Sequence, residues 1–170
     1  MVDKIIYENY SEPALAEFSV NWPRVASRGI VLRGDKMLAF LKQRTGQYKL
    51  PGGGREGDEV PEETFKREVL EETGWTVKNI KKIGVTKGYT QLSHVFVAEV
   101  DGYYGENFDD NEIADDLKSV EISFEDFLKG CKAFLERYKG KDDEDSMIKY
   151  AISFRDYQIV KFYLENVKDW

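Results

Sequence analysis

The spacing of apolar residues along the chain changes period several times, and each change marks an element. From Arg24 to Gln43, VASRGIVLRGDKMLAFLKQ carries two apolar runs, Ile30-Val31-Leu32 and Met37 to Leu41, separated by Gly34-Asp35. Apolar side chains on successive residues suit strands buried on both faces, and a Gly-Asp pair between them suits a hairpin turn. A polar loop over 44–48 and Lys49-Leu50-Pro51 then lead into three glycines, Gly52 to Gly54. From Pro61 the period becomes helical, with Phe65 and Val69 on one stripe. Pro61 suits the first helical position, Glu62 and Glu63 suit the positive end of the helix dipole, and Gly74 suits the stop. The expected helix therefore runs from about 61 to 73.

Strand patterns return over Thr76–Val85 and Thr86–Val100. QLSHVFVAEV is the clearest of these, with Leu92, His94, Phe96, Ala98 and Val100 on one face. The only histidine, His94, reads there as a packed, hydrogen-bonded side chain. Residues 101–118 form a loop rich in glycine and acids, six of them between Glu106 and Asp116. Ser123-Phe124-Glu125-Asp126 opens a second helix to about Tyr138, with Phe127, Leu128, Cys131, Phe134 and Leu135 inward. KGKDDEDS, 139–146, reads as an exposed linker, with Ser146 as the cap of a last helix whose wide apolar surface suits packing on the domain and on a partner subunit. Before residue 24 the periodic signal is weak. Ser11 followed by Glu12-Pro13 suggests a brief helix in an N-terminal arm over 1–22. The domain proper is expected over 23–140, with 141–170 as a C-terminal helical extension packed on it. Strands and helices interleave, so one mixed α/β (α+β) sandwich is the economical reading.

Composition narrows the class. The chain has 170 residues, 41% hydrophobic and 34% charged, enough for one domain with a sizeable core. No apolar run approaches the roughly 18 residues that span a bilayer, and MVDKIIYENYSEP lacks the apolar core of a secretory signal. A single cysteine, Cys131, excludes an intrachain disulfide, suits a reducing cytoplasm and reads as a core thiol. A net charge of −7 argues against nucleic-acid binding through a broad basic face. It leaves phosphorylated small molecules open, because metal ions and a few cations can invert the sign locally.

The chemistry concentrates in GGGREGDEVPEETFKREVLEETGW, Gly52 to Trp75. Glu68, Glu71 and Glu72 stand at i, i+3 and i+4, which puts three carboxylates on one side of a helix. Taken alone this is unfavourable. Glu68 and Glu72 are like charges one turn apart, at a cost of about 0.2–0.5 kcal/mol, and Glu71 and Glu72 stand at the negative end of the helix dipole. A hard divalent cation reverses both penalties, since carboxylate oxygens are the ligands that Mg²⁺, Mn²⁺ and Ca²⁺ prefer.

Gly53, Glu59, Arg67, Glu68, Glu71, Glu72 and Gly74 fit G-x5-E-x7-R-E-x-x-E-E-x-G without a gap. This resembles the Nudix box, the signature of hydrolases of nucleoside diphosphates linked to another moiety. The one departure is Trp75, where an aliphatic residue is usual. The chain is also similar to bacterial Nudix proteins that open the domain with an ASR-x-I segment and share the late FRDYQIVKFYL helix. The resemblance implies a Nudix-type α/β/α sandwich with a mixed sheet. It implies that Glu68, Glu71 and Glu72, with the backbone carbonyl of Gly53, hold Mg²⁺ or Mn²⁺. Arg67 would pair with a box glutamate, most simply Glu71 at i+4, and Glu59 would support the loop–helix junction. The general base is Glu71 or Glu72, or an acid of the later loop, for which Glu112 is the candidate.

Arg44, Lys49 and Arg55 flank the glycines as candidate phosphate-binding cations; Tyr48 and Tyr89 are candidates for stacking on a base and equally suit packing. The expected partner is a small nucleotide substrate, with no nucleic acid or membrane, and a homodimer is an open possibility. The competing class is a catalytically silent Nudix module that binds a nucleotide or a partner. Such modules lose box glutamates, and this chain keeps every one.

Overall fold

The computed structural model describes residues 4–8, 24–88, 91–105 and 116–168. The expected helix capped by Ser11, the acids around Glu112 and the ring of Tyr89 lie outside those residues. The described strands are β1 (Ile5–Glu8), β2 (Arg24–Arg33), β3 (Lys36–Lys42), β4 (Gln47–Lys49), β5 (Gly52–Gly54), β6 (Trp75–Lys87), β7 (Gln91–Tyr103) and β8 (Leu117–Ile122). The helices are α1 (Pro61–Thr73), α2 (Phe124–Tyr138) and α3 (Glu144–Asn166).

The strands form one mixed sheet that forks. Its spine runs β1-β6-β7-β2-β3-β4, with β1–β6 and β2–β7 parallel and the other pairs antiparallel. β2 and β3 pair only beside their turn, Val31 with Leu38 to Arg33 with Lys36, and then diverge. Into the fork run β4, along β3, and β5, along β2, with Gly54, Gly53 and Gly52 opposite Ala26, Ser27 and Arg28. β8 covers the other edge of β3. The fork brings the glycine strand beside the buried start of β2.

Alternate residues of the central strands feed two cores. Val31, Leu38, Phe96 and Ala98 pack under Phe65 and Val69 of α1. Ile30, Met37, Ala39, Val95 and Val97 face the opposite way, against Phe127 and Cys131 of α2 and Ile159, Val160 and Tyr163 of α3. The β2–β3 hairpin is thus buried on both faces, as its continuous apolar runs predict, and the molecule is an α/β/α sandwich. Burying the fully enclosed side chains of Phe65, Phe127, Phe134 and Ile159 contributes about 1.5–3 kcal/mol each before conformational entropy is subtracted.

Several expectations about elements need correction. β1, β4, β5 and β8 fall where no strand pattern is read; the expected polar loop over 44–48 gives way to β4 from Gln47. Of the two readings open for Tyr48, the structure shows packing: its ring lies 6.0 Å from that of Phe127 and against Gly130. Ser146 does not cap the last helix. Asp143 does, its carboxylate accepting from the Ser146 N–H at 2.9 Å, and Ser146 lies inside the first turn. Ser123 does cap α2, accepting from the Asp126 N–H at 3.0 Å. Among the described residues no helix is long and apolar enough to cross a membrane.

Candidate active site

α1 begins and ends where its local signals demand. Pro61 takes the first position, Glu63 accepts from the Val60 N–H at 3.0 Å, and Gly74 closes the helix at φ 72°, its N–H donating to Leu70. The Ser27 hydroxyl of β2 donates to the Pro61 carbonyl at 2.7 Å, which ties the helix start to the fork.

Arg67 organises the charged face of this helix. Its Nε and Nη2 donate to the two oxygens of Glu59 at 2.7 and 3.1 Å, a paired arrangement. Nη1 donates to Glu68 at 2.9 Å and to Glu71 at 3.0 Å, and Nη2 also reaches the Gly54 carbonyl at 2.9 Å. The expected Arg67–Glu71 pair is present, but the closest partner is Glu59, eight residues back in the loop. Planar, two-pronged recognition of this kind requires an arginine. Glu59 also accepts from the Glu56 N–H and the Thr64 hydroxyl, at 3.1 and 3.0 Å, so it does brace the loop–helix junction. These donors, Arg67 first, hold the Glu59 carboxyl down to about 2. Reciprocally, the hydrogen bond to Glu59 raises Arg67 above its already high value.

The carboxylates then meet the glycine strand. A Cβ on Gly53 would lie 2.5 Å from Cδ and both oxygens of Glu68, so only glycine leaves room for that carboxylate. Glu72, 8% exposed, accepts from the Gly52 N–H at 2.8 Å. Glu71 has the more open side chain of the two.

As a donor set, three hard carboxylates beside the backbone of Gly53 fit a hard divalent cation. Among the described residues, however, no three acidic, His or Cys side chains converge closely enough to hold an ion. Arg67 draws Glu68 and Glu71 toward itself while Gly52 engages Glu72.

The candidate cations separate. Lys49, half-buried at the end of β4, lies in a charged cluster with Glu72, Arg28, Asp156 and Arg155. Burial pushes its pKa down, and the attraction of Glu72 opposes that shift. Arg55 is exposed immediately after the glycine strand, its N–H donating to the Val25 carbonyl at 2.9 Å. Arg44 is exposed in the β3–β4 turn, where its charge acts on Lys149 of α3. Glu112 lies outside the described residues.

Sequence reasoning missed Arg28 and Asp156. Arg28 lies on β2, 5% exposed, its Nε donating to the Ser93 hydroxyl at 3.3 Å. Burial and then Arg155 push its pKa down to about 9, against the pull of Asp156 and Glu72, so it stays charged at neutral pH. Asp156 is fully buried on α3. A signal for it existed: Ser146, Ser153, Asp156, Val160 and Tyr163 recur at helical spacing, which puts the acid on the buried stripe.

Together the fold and this face define a class of site: a carboxylate-bearing helix set against a glycine strand in the fork of a mixed sheet. Comparison with known proteins agrees. The NUDIX domain profile matches residues 23–138. A MutT-like protein of Streptomyces ambofaciens is 43% identical over 68 residues, 39% of this chain and 44% of that protein. An ADP-ribose pyrophosphatase of Bacillus subtilis is 32% identical over 114 residues, 62% of this chain and 55% of that protein. Among solved structures, a NUDIX hydrolase from Nitrosomonas europaea superposes with a TM-score of 0.55 at 20% identity, covering 79% of this chain and 88% of that one, a likeness of fold. The chain belongs to the Nudix family. It spans about half the length of the curated relatives it matches. Nudix hydrolases generally use divalent metal ions.

Proposed function

We propose that this protein is a Mg²⁺- or Mn²⁺-dependent pyrophosphohydrolase that cleaves the diphosphate linkage of a nucleoside diphosphate derivative, of nucleoside triphosphate or nucleotide-sugar type. The observation that carries the reading is the complete box, its carboxylates set on one helix against the glycine strand. Arg67 gathers Glu59, Glu68 and Glu71 against the glycine strand, while Glu72 engages Gly52 from the same helix. A chain that had abandoned catalysis would have no reason to maintain three carboxylates around one arginine and a fourth beside them, since each added acid costs self-repulsion. The names of the two relatives, a MutT-like protein and an ADP-ribose pyrophosphatase, support the reaction class.

Glu68, Glu71, Glu72 and the Gly53 carbonyl would hold the cation. When bound, it screens phosphate charge, acidifies water and stabilises the leaving oxygen. The chain's own residues do the rest. Water attacks one phosphorus of the bridge, the bond from that phosphorus to the bridging oxygen breaks, and a nucleoside monophosphate and a second phosphorylated product leave. Glu71 and Glu72 are the box carboxylates available to take the proton of the attacking water. Arg67 holds Glu71 in place through the 3.0 Å contact and keeps Glu59 ionised. Lys49, beside Glu72, and Arg55, on the open side of the glycine strand, supply positive charge toward substrate phosphates, with Arg44 further out on its turn. The acidic surface then repels polyanions except where these cations and the bound metal invert the sign.

The test is a panel of nucleoside triphosphates, nucleotide sugars and dinucleotides, incubated with Mg²⁺ or Mn²⁺. Released monophosphate, phosphate and pyrophosphate are quantified. Metal-dependent release of a nucleoside monophosphate from some member supports the reading. No turnover of any member, with a nucleotide raising thermal stability instead, would replace it with a binding module.

A further inference from the structure

The segment that enters the glycine strand is gripped by carboxylates from both layers of the sandwich. Leu50 donates its N–H to Asp156 Oδ2 of α3 at 2.9 Å, and two residues on, Gly52 donates its N–H to Glu72 Oε2 of α1 at 2.8 Å. Between them Pro51 has no N–H to offer, and its carbonyl accepts from Gly29 of β2 at 3.1 Å. The backbone of Leu50-Pro51-Gly52 is therefore fixed at each group it can offer inward. The side chain of Leu50 is itself buried in the core on the α3 side.

The two gripping acids are also linked electrically. Arg28 and Lys49 each feel both Asp156 and Glu72 as attractive neighbours, and Lys49 is the residue before Leu50. Asp156 is fully buried, and its second oxygen accepts from Arg155 Nε at 2.8 Å. A buried acid with a backbone amide on one oxygen and a guanidinium on the other has little freedom to move. Whatever it holds is held firmly.

We propose that Asp156 is a positioning residue for the metal cradle. By fixing Leu50, it sets the path of the chain into Gly52 and Gly53, and so the placement of the Gly53 backbone against Glu68 and Glu72. The C-terminal helix, which lies beyond the segment matched by the family profile, is on this account part of the active site. The inference rests on the metal-dependent reading above, because the quantity that Asp156 controls is the geometry of the cradle.

The experiment titrates the full-length protein with Mn²⁺ alone and counts free ion by electron paramagnetic resonance. It is run at a temperature where circular dichroism shows every variant folded. Asp156→Ala is compared with Asp156→Asn, which keeps an oxygen for Leu50, and with Ile159→Ala. Ile159 is fully buried on the same helix and its side chain offers Leu50 no hydrogen bond, so its truncation loosens α3 while keeping the carboxylate. Groups that orient a metal's ligands from behind are worth roughly 10–100-fold in affinity. Asp156→Ala should therefore weaken Mn²⁺ binding about tenfold or more, while Asp156→Asn and Ile159→Ala stay close to wild type.

Equal binding by Asp156→Ala and wild type would overturn the inference while leaving the metal site standing. An equal loss in Ile159→Ala would overturn it too, by showing that loosening the helix is enough. Absence of Mn²⁺ binding in the wild type would overturn the metal reading and the inference with it. If Asp156→Ala does not fold, amide exchange of the wild type decides. Adding Mg²⁺ should slow exchange at Leu50 together with Gly52, and an unchanged Leu50 amide would refute the linkage.

Discussion

Adjacent glycines in the same short strand should respond to alanine in opposite ways. At Gly53 the new Cβ would stand 2.5 Å from the three carboxyl atoms of Glu68, its nearest neighbours. Normal carbon contacts begin near 3.5 Å, so the Glu68 carboxylate must retreat by about 1 Å. That retreat is easy for the tip of a side chain. It weakens the Arg67–Glu68 contact, worth about 0.2–1 kcal/mol. Replacing glycine by alanine in compatible backbone returns about 0.4–1 kcal/mol by restricting the unfolded chain. Stability should therefore change by less than about 1 kcal/mol. The cradle does not share that tolerance, because displacing a ligand by 1 Å should weaken metal binding at least as much as loss of a supporting group, about tenfold or more.

At Gly52 the backbone has φ 139°, and a Cβ would meet Arg28 Cα at 2.5 Å and lie closer still to the Ser27 carbonyl oxygen. Nothing flexible stands in the way there, and the cost is backbone strain of about 1–3 kcal/mol. At about 3 °C per kcal/mol for a chain of this size, a 2 kcal/mol loss lowers Tm by roughly 6 °C. Thermal denaturation and Mn²⁺ titration of both variants provide the assay. Gly53→Ala should melt with the wild type and bind Mn²⁺ poorly, while Gly52→Ala should melt early. A Gly53→Ala protein that bound Mn²⁺ like the wild type would refute the assignment of Gly53 and Glu68 to one cradle. Early melting of Gly53→Ala would refute the claim that only a side-chain tip is in the way.

Two further outcomes follow from the pKa shifts. The Glu59 carboxyl sits near 2 in the folded protein against an ordinary 4.5, so its pairing stabilises the fold fully above about 4.5 and is lost as pH falls toward 2. The Tm difference between wild type and Glu59→Gln should be full at neutral pH and close over that window; a difference independent of pH would contradict the role of the charge. Cys131 is fully buried, and burial, with Asp156 adding to it, pushes its thiol well above the usual range. A chromogenic disulfide reagent should therefore label it only after unfolding, and rapid labelling of the native protein would contradict a core thiol.

What the sequence made legible was local or periodic. Pro61 and Gly74 bound α1 because each acts through its own backbone. The β2–β3 hairpin declared itself because both strands are apolar on consecutive residues and share a glycine turn. The box was readable because its carboxylates lie on a single helix. What was hidden depended on distant partners. β5 is three glycines, which carry no strand preference and form a strand only because β2 and β3 diverge around them. The cap of α3 was misread because Asp143 and Ser146 both suit the part, and only the observed hydrogen bond separates them. Arg28, Lys49 and Asp156 come from β2, β4 and α3, and their convergence is a property of the forked sheet. Arg67 illustrates both sides. Its i+4 partner Glu71 follows from helix geometry, whereas its two-pronged partner Glu59 depends on how the loop folds back.

On the proposed function, the helix carboxylates serve metal-dependent cleavage of a diphosphate bridge. Its most direct test measures nucleoside monophosphate released by wild type and Glu72→Gln across the nucleotide panel, with and without Mg²⁺. Release should require the metal and fall about 10–100-fold in the variant, as expected when a supporting or ligating group is lost. Release by Glu72→Gln at the wild-type rate, or release by the wild type unaffected by chelating the metal, would contradict that function.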